Sequence, residues 1–158
     1  MSISADEYRK VASYFATGVT IVTTQNAANE AYGLTATAFT SVSLDPLLIL
    51  VCLSNHLSGL KAFEESNQLG VNILAADQED LSNHFAQSGT DRSKGPYLRG
   101  KTGVPVLANV IARLECEVTA RYPGGDHTII MGRVENAEVV NPEKNPLLFY
   151  ESRYRELK

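Results

Sequence analysis

The chain has no long apolar run. Its longest, Pro46 to Leu53, is far short of the roughly 20 residues that cross a bilayer as a helix. It also lacks a basic stripe. Lys and Arg are scattered along a chain of net charge -4, which argues against nucleic acid as a partner and against anionic membranes. Cysteine is scarce. Cys52 and Cys116 both sit in strand-like apolar contexts and read as buried free thiols rather than a disulfide. The N-terminus does not read as a signal peptide, because Asp6, Glu7, Arg9 and Lys10 interrupt it before any apolar stretch. The expected compartment is the cytoplasm. There is no P-loop, no Gly-x-Gly-x-x-Gly after a strand and no Gly-x-Ser-x-Gly. Cys-x-x-Cys and His-x-x-x-His are missing as well, and His56, His84 and His127 are far apart, so no metal site is expected.

What is present suits a single compact domain. The 158 residues can bury a core. The hydrophobic share of 44% and charged share of 20% are ordinary for a globular protein. Ser4 and Glu7 have capping-box spacing and predict a helix to about Ala16, with Tyr8, Val11, Ala12 and Phe15 on one face. Val19 to Thr24 reads as a strand, and Gln25 to Ala31 as a hairpin turn. Gly33 to Pro46 alternates as one strand. Leu34, Ala36, Ala38, Val42 and Leu44 are expected to pack, while Thr35, Thr37 and Ser41 form a hydroxyl-lined face. Thr40 falls on the packing side. Leu47 to Leu53 is continuously apolar, as a strand buried on both faces would be.

A helical segment follows Ser54-Asn55-His56, to about Ser66. Leu69 to Leu74 is a strand, and Asp77 is the expected N-cap of a helix over Gln78 to Gln87. Ser88 to Gly103 has no periodicity and reads as a long surface loop. Val104 to Leu107 and Val110 to Arg121 are strands; in the second, Arg113, Glu115 and Glu117 alternate onto a wet face. Pro123-Gly124-Gly125 marks a turn. Thr128 to Val134 is a strand that continues, after a turn or a bulge, to Val140. Leu147 to Tyr150 and the tail to Leu157 read as a final strand. About seven or more strands and three short helices, without regular alternation, predict a mainly β antiparallel barrel with peripheral helices.

Three spots carry candidate chemistry. The small hydroxyl row from Thr35 to Ser41 would let a flat ligand approach the backbone. Gly124-Gly125-Asp126-His127 would set a histidine, fixed by Asp126, at a strand mouth; an exposed hairpin histidine is the plainer reading. Ser54-Asn55-His56-Leu57-Ser58 sits at a strand-to-helix junction, which suits a phosphate or is a simple cap. Arg92 and Lys94 would add positive charge, or sit in a solvated loop. Tyr150 and Tyr154 would stack on an aromatic ligand or pack in the core.

These pieces have an order. Phe15-Ala-Thr-Gly-Val-Thr-Ile-Val-Thr23, Gly33 to Pro46, Leu50-Val-Cys-Leu53, Gly70-Val-Asn-Ile-Leu74, His84-Phe-Ala86, Leu114-Glu-Cys116, Gly125-Asp-His127, Gly132-Arg-Val134 and Pro146-Leu-Leu148 follow one another. In this order the chain resembles the flavin reductase-like family of FMN-binding split barrels, reductase components of two-component monooxygenases. The resemblance implies a split β-barrel homodimer that binds FMN, or FAD, near the subunit interface. It also implies NADH or NADPH as hydride donor and a partner monooxygenase that receives reduced flavin. It assigns Thr35, Ala36, Thr37, Ala38, Thr40 and Ser41 to the isoalloxazine wall. Cys52, Leu53, Ser54, Asn55 and Ser58, with Lys94, would serve the phosphate side. Phe85, Ala86 and Tyr154 would border the site, and His127 would lie by the nicotinamide as the catalytic candidate. One departure is plain. The family's usual Ser-x-Thr pair after this strand is Leu57 and Gly59 here. Two other readings stay open at this point: a carrier or oxidoreductase with tightly held flavin, and a ligand-binding barrel without catalysis.

Overall fold

A computed structural model describes residues 2–158. Helix α1 (Ala5–Ala12) starts from the predicted capping box: the Ser4 hydroxyl accepts from the Glu7 N–H, and the Glu7 carboxylate accepts from the Ser4 N–H. It ends four residues earlier than the apolar spacing suggested, and none of its residues is buried. A two-residue strand β1 (Thr17–Gly18) leads into β2 (Thr20–Gln25), β3 (Ala31–Ala36), β4 (Phe39–Leu44) and β5 (Leu47–Ser54). Then come α2 (Leu60–Glu65), β6 (Gln68–Ile73), a 3-10 turn at Ala76–Gln78 and α3 (Glu79–Ala86). The rest is β7 (Tyr97–Arg99), β8 (Pro105–Leu107), β9 (Ala112–Gly124), β10 (His127–Val139), β11 (Leu148–Tyr150) and β12 (Arg153–Arg155).

Seven strands form one antiparallel sheet in the order β3-β2-β6-β9-β10-β5-β4. Its two edge strands, β3 and β4, are consecutive in the chain and joined only by Thr37 and Ala38. A flat seven-stranded sheet would hold its edges about 29 Å apart, six spacings of ~4.8 Å. The three Cα steps from Ala36 to Phe39 reach no more than about 11 Å. The sheet therefore has to curl until its edges meet. The result is the expected barrel, split where β3 and β4 face each other. Gly33 to Pro46 is thus two strands broken at Thr37–Ala38, not the single strand its alternation predicts.

Inside the barrel Val22, Leu34, Val51, Leu53, Phe63, Val71 and Ile130 form the main core. A second cluster of Val19, Ile21, Leu74, Phe85, Leu107 and Leu147 lies outside it, beneath α3 and the C-terminal segment. Val22 and Ile21 are adjacent on β2 and enter opposite clusters, so this strand is covered on both faces. The continuous apolar run Leu47–Leu53 predicts that role for β5 instead. In β5, Ile49, Val51 and Leu53 are buried, but Leu48, Leu50 and Cys52 are only half-buried. An apolar outer face has been left partly open.

Other expectations need correcting for local reasons. The segment after Ser54 turns twice before α2 begins at Leu60, and its cap Gly59 has φ +91°, a conformation open to glycine. Asp77 does not cap α3; its carboxylate pairs with Lys144 at 2.8 Å. The tail is a hairpin, β11 against β12, turning at Glu151 and Ser152. The predicted loop from Ser88 to Gly103 contains β7, paired with β8.

Glu115 overturns the wet face of β9. It is 1% exposed. Its carboxylate accepts from the Lys101 N–H at 3.0 Å, from the Thr102 N–H and hydroxyl at 2.7 Å each, and from Asn136 Nδ2 at 3.0 Å. A Cβ on Gly100 would fall 2.6 Å from this carboxylate, so that glycine makes room for it. Burial pushes the Glu115 pKa up, but the four donors outweigh it and the net displacement is downward. A depressed pKa stabilises the fold above the unfolded value and loses that contribution as pH falls through the folded one. Glu115→Gln should cost about 2–3 kcal/mol at pH 7, since it sets an amide NH2 against donors. Urea denaturation would show it, with the gap from wild type closing below about pH 4.

Candidate functional site

The open face of β5 is where the site assembles. Leu50, Cys52 and Ser54 share that face because strand side chains alternate. Antiparallel register sets Met131 opposite Leu50, Ile129 opposite Cys52, and His127 opposite Ser54. On the other flank β4 brings Thr40 opposite Leu50. The Ala38 carbonyl accepts from the Cys52 N–H at 3.0 Å, which carries the β4–β5 pairing one residue past Phe39 and seats the Thr37–Ala38 corner alongside Cys52.

A cleft of about 520 Å³ opens over the corner. One wall is Thr37, Ala38, Thr40, Leu50 and Cys52, and the other comes from α1, Phe15, Thr17, Phe149 and Ser152. A larger concavity of about 600 Å³ lies between Asn29, Tyr97 and Arg99. The smaller cleft has the better claim as the site, because it gathers the predicted residues and holds an unsatisfied group. The Thr17 hydroxyl is buried, lines the cleft and has no hydrogen-bond partner. A buried polar atom without a partner carries a cost that a ligand can relieve. An apolar wall with a free hydroxyl, open at one side, fits a flat ring with polar edges. Thr17 lies within the Phe15–Thr23 motif, but nothing in the sequence gives it a role; only its burial marks it.

At the far end of β5 two sequence-predicted spots meet. The β9–β10 hairpin turns on two residues, Gly125 and Asp126, with Gly125 at φ +72°. The Asn55 N–H donates to the Asp126 carbonyl at 2.9 Å, and Asn55 Oδ1 accepts from the Thr128 hydroxyl at 2.8 Å. Asn55 therefore spends its side chain holding the turn. His127 Nδ1 lies 2.7 Å from the Asp126 carboxylate. An ionised carboxylate only accepts, so Nδ1 carries the proton and Nε2 is left for other partners. The hydrogen bond from His127, and then its charge, hold Asp126 below the usual carboxylate range.

The remaining predicted residues lie elsewhere. Thr35 donates its hydroxyl to the Ser82 carbonyl at 2.6 Å. Leu34 and Ala36 are buried as expected. Ala38, Val42 and Leu44 were expected to pack, yet all three are exposed; beyond the break the strand runs at the sheet edge, with a register shift between Ser41 and Ser43. Ser41 is exposed, and Leu53 is in the core. Phe85 is buried beneath Gly33, where a Cβ would fall 2.7 Å from its ring. The Tyr154 hydroxyl bonds Ser82 Oγ at 2.7 Å and Asn83 at 3.2 Å, so its ring packs in the second core cluster. Lys94 is exposed and 3.5 Å from Asp91. Arg92 turns inward, and Ser58 and Ala86 meet it there.

Burial raises the Cys52 pKa. Burial, then Glu135 and Glu115, push Cys116 up to about 12. Both cysteines are free, and neither is a thiolate nucleophile near neutral pH. Among the described residues no group of three His, Cys, Asp or Glu could hold a metal ion. No described helix is long and apolar enough to cross a membrane.

The fold is a mainly β antiparallel barrel with a largely apolar cleft beside its two edge strands. The model of the flavin reductase-like domain matches residues 12–158, and the chain belongs to that family. It is 42% identical over 151 residues to an NADH-dependent flavin reductase of a Rhodococcus species, covering 94% of this chain and 84% of the relative. The flavin reductase component of a bacterial two-component tryptophan halogenase superposes with TM-score 0.89 at 34% identity, covering 98% of each chain. The Streptomyces globisporus NADH:FAD oxidoreductase, solved with NAD and FAD fragments, has TM-score 0.89 at 33% identity, covering 100% of this chain and 97% of that one. Other relatives are named as FMN and as FAD reductases. The chain is an NAD(P)H:flavin oxidoreductase. Thr17→Val, which keeps the shape and removes the hydroxyl, should leave the melting temperature within a few degrees and weaken flavin binding about fivefold or more. Flavin fluorescence titration reads it; an unchanged affinity would take Thr17 out of the site.

Proposed function

We propose that this chain is the reductase half of a two-component system, reducing FMN or FAD with NADH and releasing reduced flavin to a separate monooxygenase. The observation that carries this reading is the cleft over Thr37–Ala38 and Cys52 with its orphan Thr17 hydroxyl. Bound flavin supplies the redox chemistry, accepting hydride from the nicotinamide. The protein's part is to hold and orient. Leu50 and Cys52 offer an apolar floor that excludes water from one ring face. Backbone groups at the Thr37–Ala38 corner and the hydroxyls of Thr17, Thr37 and Thr40 meet its polar edge. His127, opposite Ser54 in the β5–β10 register and oriented by Asp126, would position the nicotinamide through Nε2. Ser54 and Ser58 are the polar groups toward the phosphate side. Neither cysteine takes part in covalent chemistry.

We further propose a homodimer. Helix α1, the turn after it and the edge strand β4 leave Tyr8 64%, Val11 69%, Phe15 79% and Leu44 88% exposed. Several such side chains beside one cleft are a self-association surface, and a second copy would complete the cleft's open side. Two free thiols and use of a nicotinamide nucleotide fit the cytoplasm.

Purified protein with NADH and FMN or FAD should bleach the flavin anaerobically. His127→Ala should cut kcat/KM about 10- to 100-fold with an unchanged melting curve. No turnover with any nucleotide and flavin pair would sink the proposal. Light scattering should give twice the chain mass, and Phe15→Glu should shift it toward the monomer; a monomeric wild type would remove the dimer.

A further inference from the structure

The chain fills its positive-φ positions by a rule that one turn breaks. Among the described residues Gly59, Gly89, Gly103, Gly125, Asn29 and Asn109 have positive φ, and glycine and asparagine are the types that tolerate the left-handed region. The exceptions are Glu151 at φ +50° and Ser152 at φ +59°. They are neighbours, and they are the two central residues of the β11–β12 hairpin, where Tyr150 pairs with Arg153. Positive φ at both positions marks a type I′ turn, for which Asn-Gly is a favoured pair. A residue with a Cβ is disfavoured at each.

Local contacts account for Glu151 and not for Ser152. The Glu151 N–H donates to the Ser13 carbonyl at 2.8 Å, and the Glu151 carboxylate accepts from Arg155 at 3.5 Å. Beside it the Tyr150 ring meets Tyr14 edge-on, with ring centroids 5.9 Å apart. These contacts hold the turn against the end of α1 and maintain its strained backbone. Ser152 is exposed and its hydroxyl has no partner among the described residues. What Ser152 does is line the cleft. It stands on the same wall as Thr17 and Phe149, which lie opposite each other in the β1–β11 register. Its free hydroxyl therefore joins the orphan hydroxyl of Thr17, across from the floor of Leu50 and Cys52. Serine at positive φ costs stability here without any return inside the fold.

We infer that Ser152 sets flavin affinity: its hydroxyl meets a polar edge of the flavin ring in the cleft, and the turn carries serine in place of the less strained glycine for that contact. This rests on the flavin reductase reading and deepens it. A hydroxyl both donates and accepts, so it serves a ring carbonyl or a ring N–H equally well. The phosphate end is assigned to the far end of β5. A contact to the ring is therefore felt alike by FMN and by riboflavin, which lacks the phosphate.

The test is fluorescence titration with FMN and riboflavin, alongside thermal melting and the KM for NADH, on Ser152→Gly and Ser152→Ala. Glycine removes hydroxyl and strain together, whereas alanine removes the hydroxyl and keeps the Cβ. Ser152→Gly should weaken both flavins about fivefold while melting at the wild-type temperature or a few degrees above it. Ser152→Ala should weaken both by a similar factor and melt below the glycine variant. Unchanged flavin affinity in these variants overturns the inference and leaves the flavin reading standing. So does a loss confined to FMN, or a raised KM for NADH with flavin affinity kept. Weaker binding by a Ser152→Gly variant that melts below wild type also overturns it, because the shape of the turn would then be the cause. Wild type that binds neither flavin overturns both.

Discussion

Two residues, Thr37 and Ala38, join the two edges of a seven-stranded sheet. That short link forces the sheet to close, and closing it creates the cleft. The Ala38 carbonyl extends the β4–β5 ladder by one bond, from the Cys52 N–H, so the corner sits alongside β5 before the chain crosses to β3. Small side chains are needed there. A larger residue at Ala38 would fill the space the cleft occupies. The hydroxyl-rich stretch is therefore first a closure device. Its ligand-facing character follows from having nowhere else to point.

Buried polar groups hold the surroundings of the cleft in place. Arg92 ties the loop after α3 to the loop after β5. Glu115 ties the Lys101–Thr102 turn to β9. Asn72 receives the Leu107 N–H at 2.8 Å and donates to the Ile21 carbonyl at 2.9 Å, fixing β8 on the core. The long segment from Ser88 to Gly103 has little regular structure, yet these contacts pin it at both ends. Each has a high cost if half-made, so the segment has one well-defined position against the barrel.

Much of this was legible in the residues. The capping box, the β9–β10 hairpin and the antiparallel barrel all follow from local patterns. So does the Asp126–His127 pair, since neighbours in sequence are neighbours in space. The break after Val134, open between a turn and a bulge in the sequence, is a register shift within one strand. The misreadings share one cause. Periodicity reports that a side chain is apolar, not what covers it. Leu48, Leu50 and Cys52 read as core, yet they face the open side. Val42 and Leu44 read as packed, yet they are exposed at a sheet edge. Polar residues erred the other way. Glu115 alternates onto the wet face, but a turn thirteen residues upstream in sequence folds over it. Arg92 looks like an ordinary loop cation until Ser58 and Gln87, distant and near in the chain, supply its carbonyls. Thr17 shows nothing in sequence beyond its place in a motif.

The most direct measurement is a crystal structure of the protein with FMN bound. The predicted result places the ring against Leu50, Cys52 and the Thr37–Ala38 corner, with Thr17 at its edge and the phosphate end toward Ser54 and Ser58. A ring seated in the larger concavity between Asn29, Tyr97 and Arg99 would contradict it.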